Sequence, residues 1–144
     1  MKRHSIVVGL VLLLAVVSSM AAPNVSQSKV LAFPGTLTNA RYVYVAAYDG
    51  DQFSPNLLPE DRAAIANVQD SLRQWGRYVI VYRRQDADMV LLVQARPTED
   101  VIAAYDAHLP SADYLWRAMG RSGLQKGETP LVSQLQQAVE TASK

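Results

Sequence analysis

The sequence predicts an α+β fold, an α/β two-layer sandwich in which a mixed sheet of about five strands carries two helices on one face, in the order β-α-β-β-β-β-α. Three observations lead there. Arg41 to Tyr48 and Asp88 to Ala95 are dense in β-branched, aliphatic and aromatic residues, which suits one half-covered and one fully covered strand. Leu58 to Trp75 repeats apolar residues at helical spacing and runs straight into a further strand, giving a strand, helix, strand unit with a parallel pair. A second segment with helical spacing closes the chain after Thr129.

The elements follow in order. Arg41 to Tyr48 places Val43, Val45 and Ala47 on one face and Tyr42, Tyr44 and Tyr48 on the other, so both sides are expected to be at least half covered. Asp49-Gly50-Asp51 ends that strand in a turn. Pro59 suits the first helical position, Glu60 and Asp61 favour the positive end of the helix dipole, and Gly76 stops the helix. Ile65, Val68, Leu72 and Trp75 form its buried stripe. Tyr78 to Tyr82 is the second strand, and Asp88 to Ala95 is apolar enough to belong in the middle of the sheet. Val101 to Tyr105 and Tyr114 to Met119 read as an antiparallel hairpin, in which Trp116 and Arg117 face opposite ways and Trp116 is the buried one. Gly120, Gly123 and Gly127 read as a flexible link. Thr129 then caps the last helix, Pro130 takes its first position, and Leu131, Leu135, Ala138, Val139 and Ala142 supply its apolar face.

Residues 1–21 read as a secretory signal peptide: Lys2, Arg3 and His4 form a charged start, Ile6 to Val17 is an apolar run, and small residues follow. Ser19-Met20-Ala21 fits a cleavage site, which makes Ala22 the first mature residue. The apolar run is short for a membrane span, which needs about 20 residues, so an uncleaved inner-membrane anchor is the alternative reading. Residues 22–40 read as a flexible lead or extended arm, with Phe33-Pro34-Gly35 as a turn signal, and residues 41–144 as a single domain. The predicted location is exported, periplasmic or secreted, with no membrane attachment once the signal is removed.

Composition narrows the function classes. Loss of Lys2 and Arg3 would turn the net charge of +1 into −1, which does not suit a general nucleic-acid binder. The chain has no cysteine, so no disulfide framework, no thiol nucleophile and no acyl anchor of the bacterial lipoprotein kind is available. Without His4 the only histidine is His108, which closes off zinc sites built from several Cys or His ligands and makes any Ser-His-Asp triad depend on that residue.

Trp75-Gly76-Arg77-Tyr78 leading into a strand, Asp86-Ala87-Asp88 opening the next, Tyr105-Asp106-Ala107 and Leu115-Trp116-Arg117 across a hairpin, and a terminal amphipathic helix together resemble small exported bacterial proteins of unknown function. More distantly the order is similar to the amino-terminal domain of TolB and to the curli-secretion lipoprotein domain, over residues 41–142. This chain departs from many such proteins in lacking a lipidated cysteine and in having a longer hairpin connection that carries Pro110. The resemblance implies an α/β domain of the envelope or the exterior used for binding or assembly, and it supplies no catalytic residues.

Asp49 and Asp51 flank a glycine, but the following Gln-Phe-Ser-Pro does not continue a calcium loop. Asp86 and Asp88 would share a face in an extended strand and could pair as carboxylates, while the plainer reading has them ending a connection. His108 lies in the hairpin loop with Asp106, Ser111 and Asp113 near in sequence, without a nucleophile-elbow pattern. Arg77, Arg83 and Arg84 bracket the second strand as a modest basic cluster. The expected function is therefore a non-catalytic binding or assembly module, without metal or cofactor, that is monomeric or weakly self-associating. Its partner is an envelope or extracellular protein, and Tyr42, Tyr44 and Tyr48 are the candidate contact face. The rival is a hydrolase-like enzyme using the aspartates and His108.

Overall fold

The computed structural model describes residues 31–109 and 113–144. The expected signal segment, its expected cleavage position at Ala21 and Ala22, the expected lead from Pro23 to Lys29, and Ser111 lie outside the described residues. The elements run β1 (Tyr42–Ala47), α1 (Pro59–Trp75), β2 (Val79–Val81), β3 (Met89–Gln94), β4 (Asp100–Asp106), β5 (Trp116–Gly120) and α2 (Pro130–Ala142), with 3-10 turns at Gly35–Leu37 and Arg84–Asp86. The order is the one the sequence predicts, and the boundaries move by a residue or two.

Strand order across the sheet is β2-β1-β3-β4-β5. β1 pairs in parallel with both β2 and β3, and β3-β4-β5 continue antiparallel. β3 holds the centre, as its apolar run requires, since a middle strand flanked by two others and covered by helices offers few places for a polar side chain. β1 ends where Ala47 and Gly50 exchange backbone hydrogen bonds in a tight turn.

Both helices pack on one face. Val43, Val45, Met89, Leu91, Val93, Ile102, Ala104 and Trp116 point into a core that Ile65, Val68 and Leu72 of α1 and Leu131, Leu135 and Val139 of α2 complete. Full burial of each aliphatic side chain of this kind contributes about 1.5–3 kcal/mol. α1 begins with Pro59 as expected and stops at Gly76, whose N–H donates to the Leu72 carbonyl at 3.0 Å and whose positive φ of 74° turns the chain out of the helix.

Phe33 and Leu37 are buried in the core, so from Phe33 onward the stretch lies along the domain as an arm, and Phe33 faces Trp116 with ring centroids 6.3 Å apart. The structure corrects three expectations. Thr129 stands at the N-cap of α2 without capping it, because its hydroxyl pairs instead with that of Ser71 on α1 at 2.6 Å. Ala142 is exposed and Val132 takes its place on the apolar face. Two glycines of the predicted link are structural: Gly120 closes β5, and a Cβ on buried Gly123 would fall 2.4 Å from Cγ of Leu131.

Candidate functional site

Alternation along each strand sends a second set of side chains to the face away from the helices. In register across β1, β3 and β4 these are Tyr44, Val90 and Tyr105, and beside them Ala46, Leu92 and Ala103, with Arg117 completing the row on β5. Val90, Ala103 and Tyr105 form a small core of their own, packed by Tyr44, Leu92 and Ala107. No described element covers this face. Tyr42 is 40% exposed, Tyr48 43%, Tyr114 41% and Met119 43%, so this face keeps large apolar side chains open.

The predicted contact residues are all on this side. Tyr42 leaves the start of β1 with the Arg41 guanidinium 5.9 Å from its ring centroid. Tyr44 is half-buried, and its hydroxyl donates to Asp51 at 3.4 Å; burial, then the Asp51 charge, raises its phenol pKa. Tyr48 lies just past the strand end, yet its hydroxyl meets that of Tyr105 at 3.3 Å, so the two phenols approach across the Leu92 row. Burial pushes the Tyr105 phenol well up, and the Tyr48 hydroxyl adds to it.

Tyr105, Tyr114 and Arg117 are the residues of this face that sequence reasoning did not single out. The alternation that buries Trp116 already turns Arg117 outward, but the approach of Tyr48 to Tyr105 spans 57 residues and leaves no local pattern. Cζ of Arg117 sits 5.5 Å from the Tyr114 ring centroid, within cation–π range.

The hydrolase candidates come together only in part. Asp86 is in a 3-10 turn and pairs with Arg83 at 2.7 Å, so it does not share an extended face with Asp88. Asp88 lies 3.7 Å from Nε2 of exposed His108, whose backbone N–H donates to Asp106 at 2.8 Å. Oδ2 of Asp88 accepts the N–H groups of Arg41 and Tyr42, both at 2.9 Å, and so fixes the entry of β1. Among the described residues no serine or threonine hydroxyl is hydrogen-bonded to His108, and Asp113 is exposed.

Asp88 makes a pH prediction. The Tyr42 and Arg41 N–H groups hold its carboxyl below the ordinary value of 3.8, against an opposing burial effect and with a smaller contribution from His108. A depressed folded-state pKa stabilises the fold above the unfolded value, and that stability is lost as pH falls through the folded one. Urea midpoints measured from pH 5 downward should therefore fall below pH 3.8. The Asp88→Asn variant should lose part of that slope; an unchanged slope would contradict this role.

Elsewhere the charged residues serve the scaffold. Asp49 reaches Arg96 at 3.4 Å and Asp51 organises its own turn through Phe53 and Ser54. Arg77 binds the Thr38 carbonyl and the Ser143 hydroxyl, and Arg83 is paired, so the basic residues around β2 do not converge. Asp61 is 1% exposed and accepts both the Ala95 N–H at 2.8 Å and the Arg96 guanidinium at 2.9 Å, tying the start of α1 to the β3–β4 connection. A cleft of about 370 Å³ opens over that tie between α1 and the 122–126 loop. Among the described residues no group of three His, Asp or Glu side chains could hold a metal ion, and no helix is long and apolar enough to cross a membrane. No protein-family model, no curated protein and no solved structure matches this chain.

Proposed function

We propose that the protein is an exported binding or assembly module without catalytic activity, and that the sheet face away from the helices is its contact surface. One observation carries the reading: a five-stranded sheet places both helices on one side and leaves Tyr42, Tyr48, Tyr114 and Met119 open on the other. Tyrosines supply large contact area at low entropic cost and keep a hydroxyl for hydrogen bonding, which suits protein interfaces. Residues 1–21, outside the described part, support export through their signal-like pattern. The resemblance to envelope α/β domains points the same way.

The enzyme reading has one observation in its favour, the approach of Asp88 to His108. Among the described residues no serine or threonine hydroxyl is hydrogen-bonded to His108, and one Asp88 oxygen is already committed to two backbone donors.

Photo-crosslinking tests the proposal. A benzophenone amino acid at Met119 is expected to give an adduct of defined mass in the envelope fraction, while the same probe at the exposed helix positions Gln74 or Gln137 gives none. Adducts formed equally from both faces would contradict a dedicated contact surface. Amino-terminal sequencing of the exported product should begin at Ala22; a retained residue 1 would favour the anchored form.

A further inference from the structure

The open face contains something that a purely apolar contact surface does not need, a guanidinium with an unmatched buried donor. Arg117 sits on edge strand β5 opposite Ala103, at the end of the row that Leu92 and Ala46 continue. Its Nε is buried and has no acceptor, and none of the ion pairs between described residues includes it. An arginine on a sheet often lays its aliphatic stem over apolar neighbours while its donors reach water. Arg117 does the first without the second at Nε, and a buried donor left without an acceptor costs free energy that some other role must justify.

Its surroundings add a further donor and an aromatic face. The Tyr48 and Tyr105 hydroxyls share one hydrogen bond, and the accepting member keeps its own hydrogen, so the pair has a donor to spare. The raised Tyr105 phenol stays protonated at ambient pH and remains such a donor, and two residues along β4 from Ala103 it is the diagonal neighbour of Arg117 on this face. The Tyr114 ring holds the guanidinium from the side.

We infer that Arg117, with Tyr105 diagonal to it on the same face of β4 and the Tyr114 ring beside it, receives a carboxylate carried on an acidic segment of a protein partner. The inference rests on reading the open face as a contact surface and names what that surface recognises. A carboxylate accepts from the two terminal nitrogens of an arginine in parallel, an arrangement that leaves the occluded Nε where it is. A protein segment is favoured over a free anion because Met119 and Tyr114 lie exposed beside Arg117. An acidic residue between apolar ones covers all three at once, whereas a small ion leaves the apolar surface wet.

Nitrogen-15 NMR of the full chain provides the test, with the capped peptide Leu-Glu-Leu-Glu-Leu, its glutamine counterpart and sodium phosphate as probes. The glutamate peptide is expected to shift the Arg117 Nε–H and the Met119 amide to saturation, with the glutamine peptide and phosphate at least 10-fold weaker. Arg117→Lys, its fold checked by spectral dispersion, should weaken the glutamate peptide at least 10-fold. Equal binding of the glutamine peptide would overturn the carboxylate receptor and leave the contact surface intact. Phosphate binding as tight as the peptide would overturn the protein source. Absence of any shift on this face would overturn the inference without touching the crosslinking result. Broadening that grows with protein concentration before peptide is added would assign the face to a second copy. Overhauser contacts from residues 22–30 to the Tyr114 ring would assign it to the chain's own lead. Either overturns the inference.

Discussion

Replacing Trp116 with alanine is expected to remove about 3–5 kcal/mol of folding stability. The indole is 1% exposed and anchors β5 to the helix side of the sheet, in register with Ala104 and in contact with Phe33. Its removal would leave a cavity between the edge strand, the arm and α2, all of which close on the same core, so little collapse is available to fill it. The indole N–H has no acceptor in its buried position. Trp116→Phe therefore trades lost area against removal of an unsatisfied donor, and should cost much less, about 1–2 kcal/mol. Urea unfolding of the two variants checks both numbers. A Trp116→Ala cost below about 1 kcal/mol would mean that the arm and β5 do not share a core.

Asp61→Ala is expected to cost about 2–4 kcal/mol. The carboxylate is almost wholly buried and satisfies the Ala95 N–H as well as the Arg96 guanidinium, so its loss strands a backbone donor and frees a charge. The Arg96 side chain is 31% exposed and also reaches Asp49, so water and that second carboxylate recover part of the loss, which is why the figure lies below that for a fully buried pair. Asp61→Asn keeps an oxygen for Ala95 and should cost about half as much. A double-mutant cycle with Arg96→Ala measures the coupling directly. If the cycle shows no coupling, the tie between α1 and the β3–β4 connection is carried by the backbone hydrogen bond alone.

The architecture was legible wherever one short stretch states its own environment. The unbroken apolar run of β3 implies the centre of a sheet, and the stripe Ile65, Val68, Leu72 implies one covered face. The alternation from Tyr42 to Ala47 divides aliphatic from aromatic sides, and the structure keeps that division. What stayed hidden depends on distant partners. Asp61 reads locally as a dipole-favouring residue in a first helical turn, and only the return of Arg96, 35 residues later, makes it a buried anchor. Phe33-Pro34-Gly35 has the composition of a turn and does form one, but the turn also lowers Phe33 and Leu37 into the core. Asp86 and Asp88 would have paired on an extended strand; the Arg84–Asp86 turn separates them.

The open face follows the same logic. Its tyrosines on β1 were visible as an alternating set, whereas the Arg117 environment is assembled from β1, β4 and the approach to β5. Stability and contact place opposite demands on such a surface, because side chains kept partly open for a partner contribute less to folding than those sealed in the core.

The claim that this face exists for contact is tested most directly by the Tyr42→Ala, Tyr48→Ala double variant, followed by thermal melting and by crosslinking from a probe at Met119. The account expects a folded protein with a Tm within about 5 °C of the parent and a lost crosslinked adduct, since both rings are about two-fifths exposed. A variant that unfolds, or one that folds and keeps the adduct, would contradict it.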